Sequence, residues 1–182
     1  MLLVFSFIFA SILIIVFLSE AVGTLLKDIV TRSASIVVCC HKSPDGDAIG
    51  SSLAWAEYLR SNGKQVTVIV PDAYPDFLQW LRNTEKRLLY DKHQQQADDI
   101  IGQADLIFCL DFNATSRLDL MQQVIDNSAA SKVLIDHHLN PDINTVLSVS
   151  HPEMSSTAEM VFRVIWQLGG FEAMDKKCAV PI

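Results

Sequence analysis

The segment SIVVCCHKSPDGDAIGSS, residues 35–52, joins an apolar run to a short polar loop and then to the beginning of a helical pattern. The run from Ser35 to Cys40 is uninterrupted and rich in β-branched side chains, which is typical of a strand buried on both faces. Residues 47–63 have the pattern of a helix, and Asn62-Gly63 is a favourable helix C-terminus. A buried strand followed directly by a helix predicts a βαβ unit and therefore a parallel sheet.

The remainder of the chain repeats this alternation of short apolar strands and helices. Further strands are predicted at QVTVIV (65–70), DLIFCL (105–110), KVLID (132–136) and, at an edge, TVLSVS (145–150). Helices are predicted at 19–31, as two short helices within 72–103, around Leu118, Met121 and Ile125, and at 155–170 with Ser155 or Ser156 as the N-cap. We therefore expect an α/β fold with a doubly wound, mainly parallel sheet and helices on both faces.

The composition is that of a globular domain with little attraction for long polyanions. Half of the 182 residues are hydrophobic and 19% are charged, with a net charge of −7. This acidic balance argues against general binding of long nucleic acid, which normally requires a basic face. The four cysteines form no CxxC pair, so we expect buried free thiols and a reducing, cytoplasmic location.

The first 18 residues, MLLVFSFIFASILIIVFL, carry no charge. As an apolar N-terminal helix they would span about 27 Å, close to the thickness of a bilayer core. Two interpretations stay open, a marginal membrane anchor and a non-native extension from an upstream start codon. The positive charges of Lys27 and Arg32 follow this segment, and the positive-inside rule would keep the rest of the chain in the cytoplasm. The domain itself is predicted to occupy residues 19–182.

Acidic and histidine side chains follow three of the predicted strands at the point where each strand ends. They are His41, Asp45 and Asp47 after the first strand, Asp111 after DLIFCL, and Asp136, His137 and His138 at the end of KVLID. The carboxyl ends of parallel strands lie along one edge of a sheet, where open α/β folds bind their ligands. A single Asp in such a place is usually a turn or helix cap. Three clusters at equivalent ends, two of them with histidine, favour a shared site.

The donor types in these clusters predict a particular chemistry. Several carboxylates close together are costly to bury unless cations neutralise them. Imidazole and carboxylate ligands without thiolates suit Mn²⁺, Mg²⁺ or Fe²⁺ better than a structural zinc ion. Enough donors are present for two ions, a known arrangement for phosphoester hydrolysis. Gly50 and Ser51 are expected to let a phosphate approach the N-terminus of the following helix.

Four segments occur in an order and spacing that resemble the motifs of the DHH phosphoesterase family. They are HKSPDGDAIGSS (41–52), LIFCLDFNATSRLD (106–119), VLIDHHLNPD (133–142) and SSTAEMVFRVI (155–165). The resemblance covers residues 36–170. The family includes RecJ-type single-strand exonucleases, manganese-dependent pyrophosphatases and oligoribonucleases that also dephosphorylate 3′-phosphoadenosine 5′-phosphate (pAp). The Ser-Pro-Asp-Gly-Asp sequence of the first segment is most similar to the oligoribonuclease and pAp-phosphatase branch.

The resemblance implies a site with two Mn²⁺ ions, for which Mg²⁺ is the alternative, and a water or hydroxide between them as the nucleophile. The implied ligands are His41 and Asp45 for one ion, Asp47 and His137 for the other, and Asp111 as the bridge. It further implies that His138 faces the scissile phosphate as a hydrogen-bond donor or general acid, and that Asp136 orients a histidine. Arg117 lies within reach of a phosphate, although a structural salt bridge is an equal alternative.

The implied activity is hydrolysis of short oligoribonucleotides, pAp or both, with short nucleotides as the only nucleic-acid partners. A homodimer is compatible with the resemblance, and membrane association stays open. The family has a further ligating Asp in an Asp-Thr-Gly-like motif and a glycine-rich, basic substrate domain. Both would lie beyond Ile182, so we expect a truncated N-terminal core that is incomplete for turnover by itself.

Two alternatives to an enzyme domain belong to other classes. One is a non-catalytic remnant that binds a metal or nucleotide, with or without a membrane tether. The other is a receiver-like module, which also gathers aspartates around Mg²⁺ at strand ends. A receiver-like module would not require paired histidines after a strand, so we favour the phosphoesterase.

Overall fold

The computed structural model describes residues 17–78, 81 and 87–170, and it is built around a six-stranded sheet in which every pair of neighbours is parallel. The strands are β1 (Ser35–Cys39), β2 (Gln65–Val70), β3 (Arg87–Leu89), β4 (Leu106–Leu110), β5 (Ser131–Asp136) and β6 (Leu147–Ser150). The α-helices are α1 (Glu20–Arg32), α2 (Gly46–Ser61), α3 (Gln94–Gly102), α4 (Gln122–Asn127) and α5 (Thr157–Gln167), with 3₁₀ turns at Asp76–Leu78 and Thr115–Met121.

The sheet is covered by helices on both faces, as the sequence predicts. Alternate residues of β1 point in opposite directions, so that Ile36 and Val38 join one core while Val37 and Cys39 join the other. The first core includes apolar residues of α1, α2 and α5, and the second includes residues of α3 and α4. Cys39, Cys40 and Cys109 are buried free thiols in these two cores.

The strand order β3-β2-β1-β4-β5-β6 creates a crevice at the carboxyl ends of the central strands. The chain builds outward from β1 to β3 and then returns to place β4 on the other side of β1. Such a reversal separates the loops that follow the two central strands, and open α/β sheets bind ligands there. The loops remain connected by a hydrogen bond from the Lys42 amide to the Arg117 carbonyl, 2.8 Å long.

Two local predictions differ from the structure. In the described residues of segment 72–103, the structure has the 3₁₀ turn, strand β3 and one α-helix, α3, where two short helices were predicted. With three residues, β3 is too short to show a strand period, and it forms by pairing with the end of β2. The helix predicted around Leu118 and Ile125 is broken at Asp119, whose φ of 51° and ψ of −120° are not helical. A 3₁₀ turn and the short helix α4 take its place.

The first described residues, Phe17 and Leu18, are attached to the last helix. Both of their amides donate to Oε1 of Gln167 on α5, at 3.0 and 2.7 Å. Residues 1–16, which carry most of the predicted anchor or extension, lie outside the described residues. Within the described ranges, no helix has the length and apolar character needed to span a membrane.

Truncating a buried apolar side chain should destabilise the fold far more than truncating an exposed one. Phe108 of β4 is fully buried and its ring meets Trp55 of α2 edge-on at 5.1 Å. We expect Phe108→Ala to lower the free energy of unfolding by about 3–5 kcal/mol, because it leaves a cavity between helix and sheet. Leu120, which is 66% exposed, supplies the matched control. Leu120→Ala should change stability by less than about 0.5 kcal/mol, and similar urea midpoints for the two variants would contradict this core assignment.

Candidate metal centre

The clusters predicted at the ends of β1, β4 and β5 meet in the crevice, with Asp111 between them. Oδ2 of Asp111 lies 3.6 Å from Nε2 of His41. Its other oxygen, Oδ1, lies 3.6 Å from Nε2 of His137. The same nitrogen of His137 is also 3.6 Å from Oδ2 of Asp47. The two oxygens of Asp111 therefore face different histidines on opposite sides.

The donor atoms around Asp111 form two groups compact enough to hold a cation. One group contains His41, Asp45 and Asp111, and the other contains Asp111, His137 and His138. Within each group the ligand atoms lie within 4.8 Å of one another. Asp111 belongs to both groups, which is the position that a shared ligand between two ions requires.

The hydrogen bonds of His41 and His137 leave one ring nitrogen of each directed at the carboxylates. Nδ1 of His41 is 2.7 Å from the Lys42 carbonyl, and Nδ1 of His137 is 3.2 Å from the Met154 carbonyl. A carbonyl only accepts, so Nδ1 carries the hydrogen and Nε2 of the neutral ring presents a lone pair. The separation of 3.6 Å from the carboxylates is longer than a hydrogen bond and suits two ligands of one cation. The donor set therefore fits a divalent metal ion.

Asp111 holds its position at a cost in backbone energy. Its φ of 63° lies in the left-handed region, which is unusual for a residue with a side chain. Its amide donates to the Ile135 carbonyl of β5 at 3.2 Å.

The carboxylate of Asp111 is only 2% exposed, and burial acts to raise its pKa. The interaction with His41 and the hydrogen bond from Thr157 outweigh burial and lower that pKa. The group at the centre of the site is thus kept ionised.

The side chain of Asp47, in the first turn of α2, is hydrogen-bonded to the start of α5. Its two oxygens accept from the amides of Thr157 and Ala158, at 2.8 and 2.7 Å. Burial and the neighbouring charge of Asp111 nevertheless raise the pKa of Asp47 above its ordinary value. For His41, burial acts to lower the pKa, but the interactions with Asp111 and the Lys42 carbonyl outweigh it and the pKa rises. Both groups therefore retain protons more readily than they would in water.

Asp136 and His138 form a hydrogen-bonded pair beside these donors. Oδ1 of Asp136 lies 2.7 Å from Nδ1 of His138. Asp136 has no exposed surface, and no described atom hydrogen-bonds to its other oxygen. His138 is about one-third exposed, and its Nε2 is the ring nitrogen that Asp136 leaves available. The pair presents an oriented imidazole at the edge of the crevice.

Asp45 also caps the helix that follows it, so its functional and structural interpretations are compatible. Its Oδ1 accepts from the amides of Asp47 and Ala48, both at 3.0 Å. Because this cap starts α2 at Gly46, the residues Gly50 and Ser51 fall in the second turn. Both are buried, and the Ser51 hydroxyl donates to the Ala48 carbonyl at 3.2 Å. Their contact with a phosphate stays a prediction.

Arg117 lies on the exposed side of the crevice, on the 3₁₀ turn after β4. Its charge acts on His41 and opposes the rise in the pKa of that ring. The positive charge of Arg117 therefore acts on the first of the predicted ligands.

Thr157 is a site residue that sequence reasoning did not single out. It is fully buried, and its hydroxyl donates to Oδ1 of Asp111 at 2.8 Å. The segment SSTAEMVFRVI contains it, but a Ser-Ser-Thr run before an apolar helix is read first as an N-cap. The structure assigns that cap to Ser156, whose hydroxyl accepts from the Glu159 amide at 3.0 Å.

Several proteins of known name or structure are similar to this chain. An exopolyphosphatase-related protein from Bacteroides fragilis superposes with a TM-score of 0.87 at 45% identity, covering 90% of this chain and 48% of that chain. The cyclic-di-AMP phosphodiesterase GdpP of Bacillus subtilis (strain 168) is 26% identical over 155 residues, which cover 81% of this chain and 23% of GdpP. The cyclic-di-AMP phosphodiesterase PdeA of Listeria monocytogenes is 27% identical over 151 residues, covering 79% of this chain and 23% of PdeA.

A more distant likeness concerns the fold alone. RecJ of Thermus thermophilus superposes with a TM-score of 0.50 at 15% identity, over 85% of this chain and 21% of RecJ.

The chain spans about a quarter of the length of GdpP and PdeA, and about half of the Bacteroides fragilis protein. The model of the DHH family, N-terminal domain, matches residues 35–181. With that match over most of its length, the chain belongs to the DHH family.

Proposed function

We propose that this chain is the catalytic domain of a metal-dependent phosphoesterase that hydrolyses short nucleotidic phosphoesters, namely oligoribonucleotides, pAp or both. The proposal rests on the position of the Asp111 carboxylate. One of its oxygens faces Nε2 of His41 and the other faces Nε2 of His137. Such a shared carboxylate is what a pair of cations would need. The names of GdpP and PdeA support phosphodiester hydrolysis as the reaction class.

The chain's own donors divide between two cation positions. His41 and Asp45 would hold one ion, Asp47 and His137 the other, and Asp111 would be shared. Mn²⁺ suits this mixture of imidazole and carboxylate ligands, and Mg²⁺ is the alternative. When bound, the ions would supply a hydroxide nucleophile near neutral pH and neutralise charge on the phosphate.

The remaining residues act on the substrate and on the leaving group. Asp136 fixes Nδ1 of His138 at 2.7 Å, so that Nε2 is held toward the open crevice. As an imidazolium, His138 would give its Nε2 proton to the leaving oxygen and return to the neutral ring with its hydrogen on Nδ1, and the Asp136 carboxylate would stabilise the charged form. Arg117 would contact a phosphate oxygen, for which a guanidinium group is well suited. The crevice therefore contains groups for both parts of a hydrolysis.

The substrate class is tested by comparing phosphoesters in the protein expressed from its complete reading frame. With Mn²⁺ present, we expect hydrolysis of pAp or of a 5′-phosphorylated dinucleotide, with cyclic di-AMP and a short polyphosphate as competing candidates from the relatives' names. Asp111→Asn should reduce hydrolysis by about 100-fold or more, because the shared ligand loses its charge. Asp126→Asn, on the exposed side of α4, is the matched control and should have normal activity. The proposal fails if neither pAp nor the dinucleotide is hydrolysed, including the case in which only cyclic di-AMP or polyphosphate is cleaved, or if Asp111→Asn has no effect.

The pKa shifts predict how cation binding depends on pH. His41 and Asp47 have raised pKa values in the metal-free chain, and each must lose its proton to become a ligand. Mn²⁺ binding should therefore tighten as the pH rises from about 6 to about 8, with release of protons. Calorimetry in two buffers of different ionisation enthalpy measures this release. His93→Gln, at an exposed position before α3, should keep the same pH dependence, whereas binding that does not vary with pH would contradict the ligand assignment.

The pairing of Asp136 with His138 predicts a defect in turnover without a defect in cation binding. Asp136→Asn keeps the shape of the side chain but removes the negative charge that stabilises His138 as an imidazolium, and an amide hydrogen presented to Nδ1 opposes protonation of that nitrogen. We expect kcat to fall by about 10²–10⁴-fold, while the Kd for Mn²⁺ changes little. Equal losses of kcat and Mn²⁺ affinity would instead place Asp136 among the ligands.

A further inference from the structure

The segment Met154–Ala158, which we call the support segment, contacts three of the predicted ligands. The Met154 carbonyl accepts from His137, and the amides of Thr157 and Ala158 donate to the two oxygens of Asp47. The Thr157 hydroxyl donates to Asp111. One short stretch at the start of α5 therefore orients two side chains that follow strands, Asp111 after β4 and His137 after β5, and one in the first turn of α2, Asp47.

Within this segment, the Thr157 hydroxyl is the group that contacts Asp111. It contacts Oδ1 of Asp111 at 2.8 Å, on the side of the carboxylate that faces His137. With Oδ1 held there, Oδ2 is directed to His41 on the opposite side. The hydroxyl thus fixes the rotation of the Asp111 carboxylate about its last bond. A freely rotating carboxylate would not keep one oxygen on each side.

The hydroxyl is not needed to begin the helix, because Ser156 supplies the N-cap. The Thr157 amide, not its side chain, serves Asp47. A buried hydroxyl that neither caps the helix nor reaches solvent is retained here by its contact with Asp111 alone among the described residues. Its removal should therefore act on Asp111 and leave Asp47 and the helix start in place.

We propose that Thr157 is a positioning residue that sets the cation affinity of the site by fixing the orientation of Asp111. This inference rests on the proposed function, since it requires that the site binds a divalent cation. Groups that orient metal ligands by hydrogen bonds commonly change metal affinity by about 10–100-fold when they are removed. Thr157 belongs to that class although it cannot itself reach the substrate.

The test is Mn²⁺ titration calorimetry on the full chain and three variants. Thr157→Val keeps the shape of the side chain but removes the donor, and should weaken Mn²⁺ binding by about 10–100-fold. Thr157→Ser restores the hydroxyl and should bind Mn²⁺ within about threefold of the parent. Ser156→Ala removes the cap of the same helix without touching a carboxylate. It should lower the Tm of the metal-free protein and leave Mn²⁺ affinity intact.

Each result either supports the inference or overturns it. Parent-like Mn²⁺ affinity in Thr157→Val overturns it, whatever the hydrolytic activity. Equal losses of affinity in Thr157→Val and Ser156→Ala also overturn it, because the effect would then come from the helix. If Thr157→Val does not fold, Thr157→Ala and Thr157→Ser give the same comparison. A parent chain that binds no Mn²⁺ overturns the proposed function first, and this inference with it.

Discussion

The arrangement of the crevice depends on one buried, ionised carboxylate, that of Asp111. A carboxylate with 2% exposure is unstable unless opposite charge or hydrogen-bond donors surround it. His41, His137 and Thr157 occupy its surroundings, and each approaches from a different element. Asp45 and Asp47 add negative charge nearby rather than relieving it. The cluster is therefore better matched to bound cations than to an ion-pair network, whose charges would already balance.

The fold delivers these groups because of its strand order. Asp111 ends β4, which lies between β1 and β5, so the residues that follow those strands approach it from both sides. The left-handed backbone at Asp111 turns the chain sharply out of the sheet, and the hydrogen bond from its amide to β5 keeps the turn in register. Strain of this kind persists where surrounding contacts specify it, and it is frequent at functional sites. The crevice and the topology are consequently two aspects of the same constraint.

Five of the six strands could be predicted from the sequence, because buried parallel strands have continuous apolar runs. The proximity of His41, Asp111 and His137 could be predicted as well, because the carboxyl ends of parallel strands share one edge of the sheet. Elements whose form depends on tertiary contacts were not predictable. Strand β3 is too short to carry a period, and the break at Asp119 places a side chain in a conformation that favours glycine. The contact of Thr157 spans 46 residues of sequence, and no local pattern encodes it.

The adjacent histidines 137 and 138 show how the same residue type acquires different roles through its acceptor. The rings lie edge-to-face with centroids 4.9 Å apart. His137 donates to a backbone carbonyl, and its Nε2 is directed inward between Asp47 and Asp111. His138 is paired through Nδ1 with a buried carboxylate, and its other nitrogen is left at the edge of the crevice. A carbonyl acceptor fixes the tautomer of a ligand, while a carboxylate acceptor can also support the positive charge that forms during proton transfer. Under the proposed function, the order Asp-His-His would combine one ligand with one proton-transfer group in three residues.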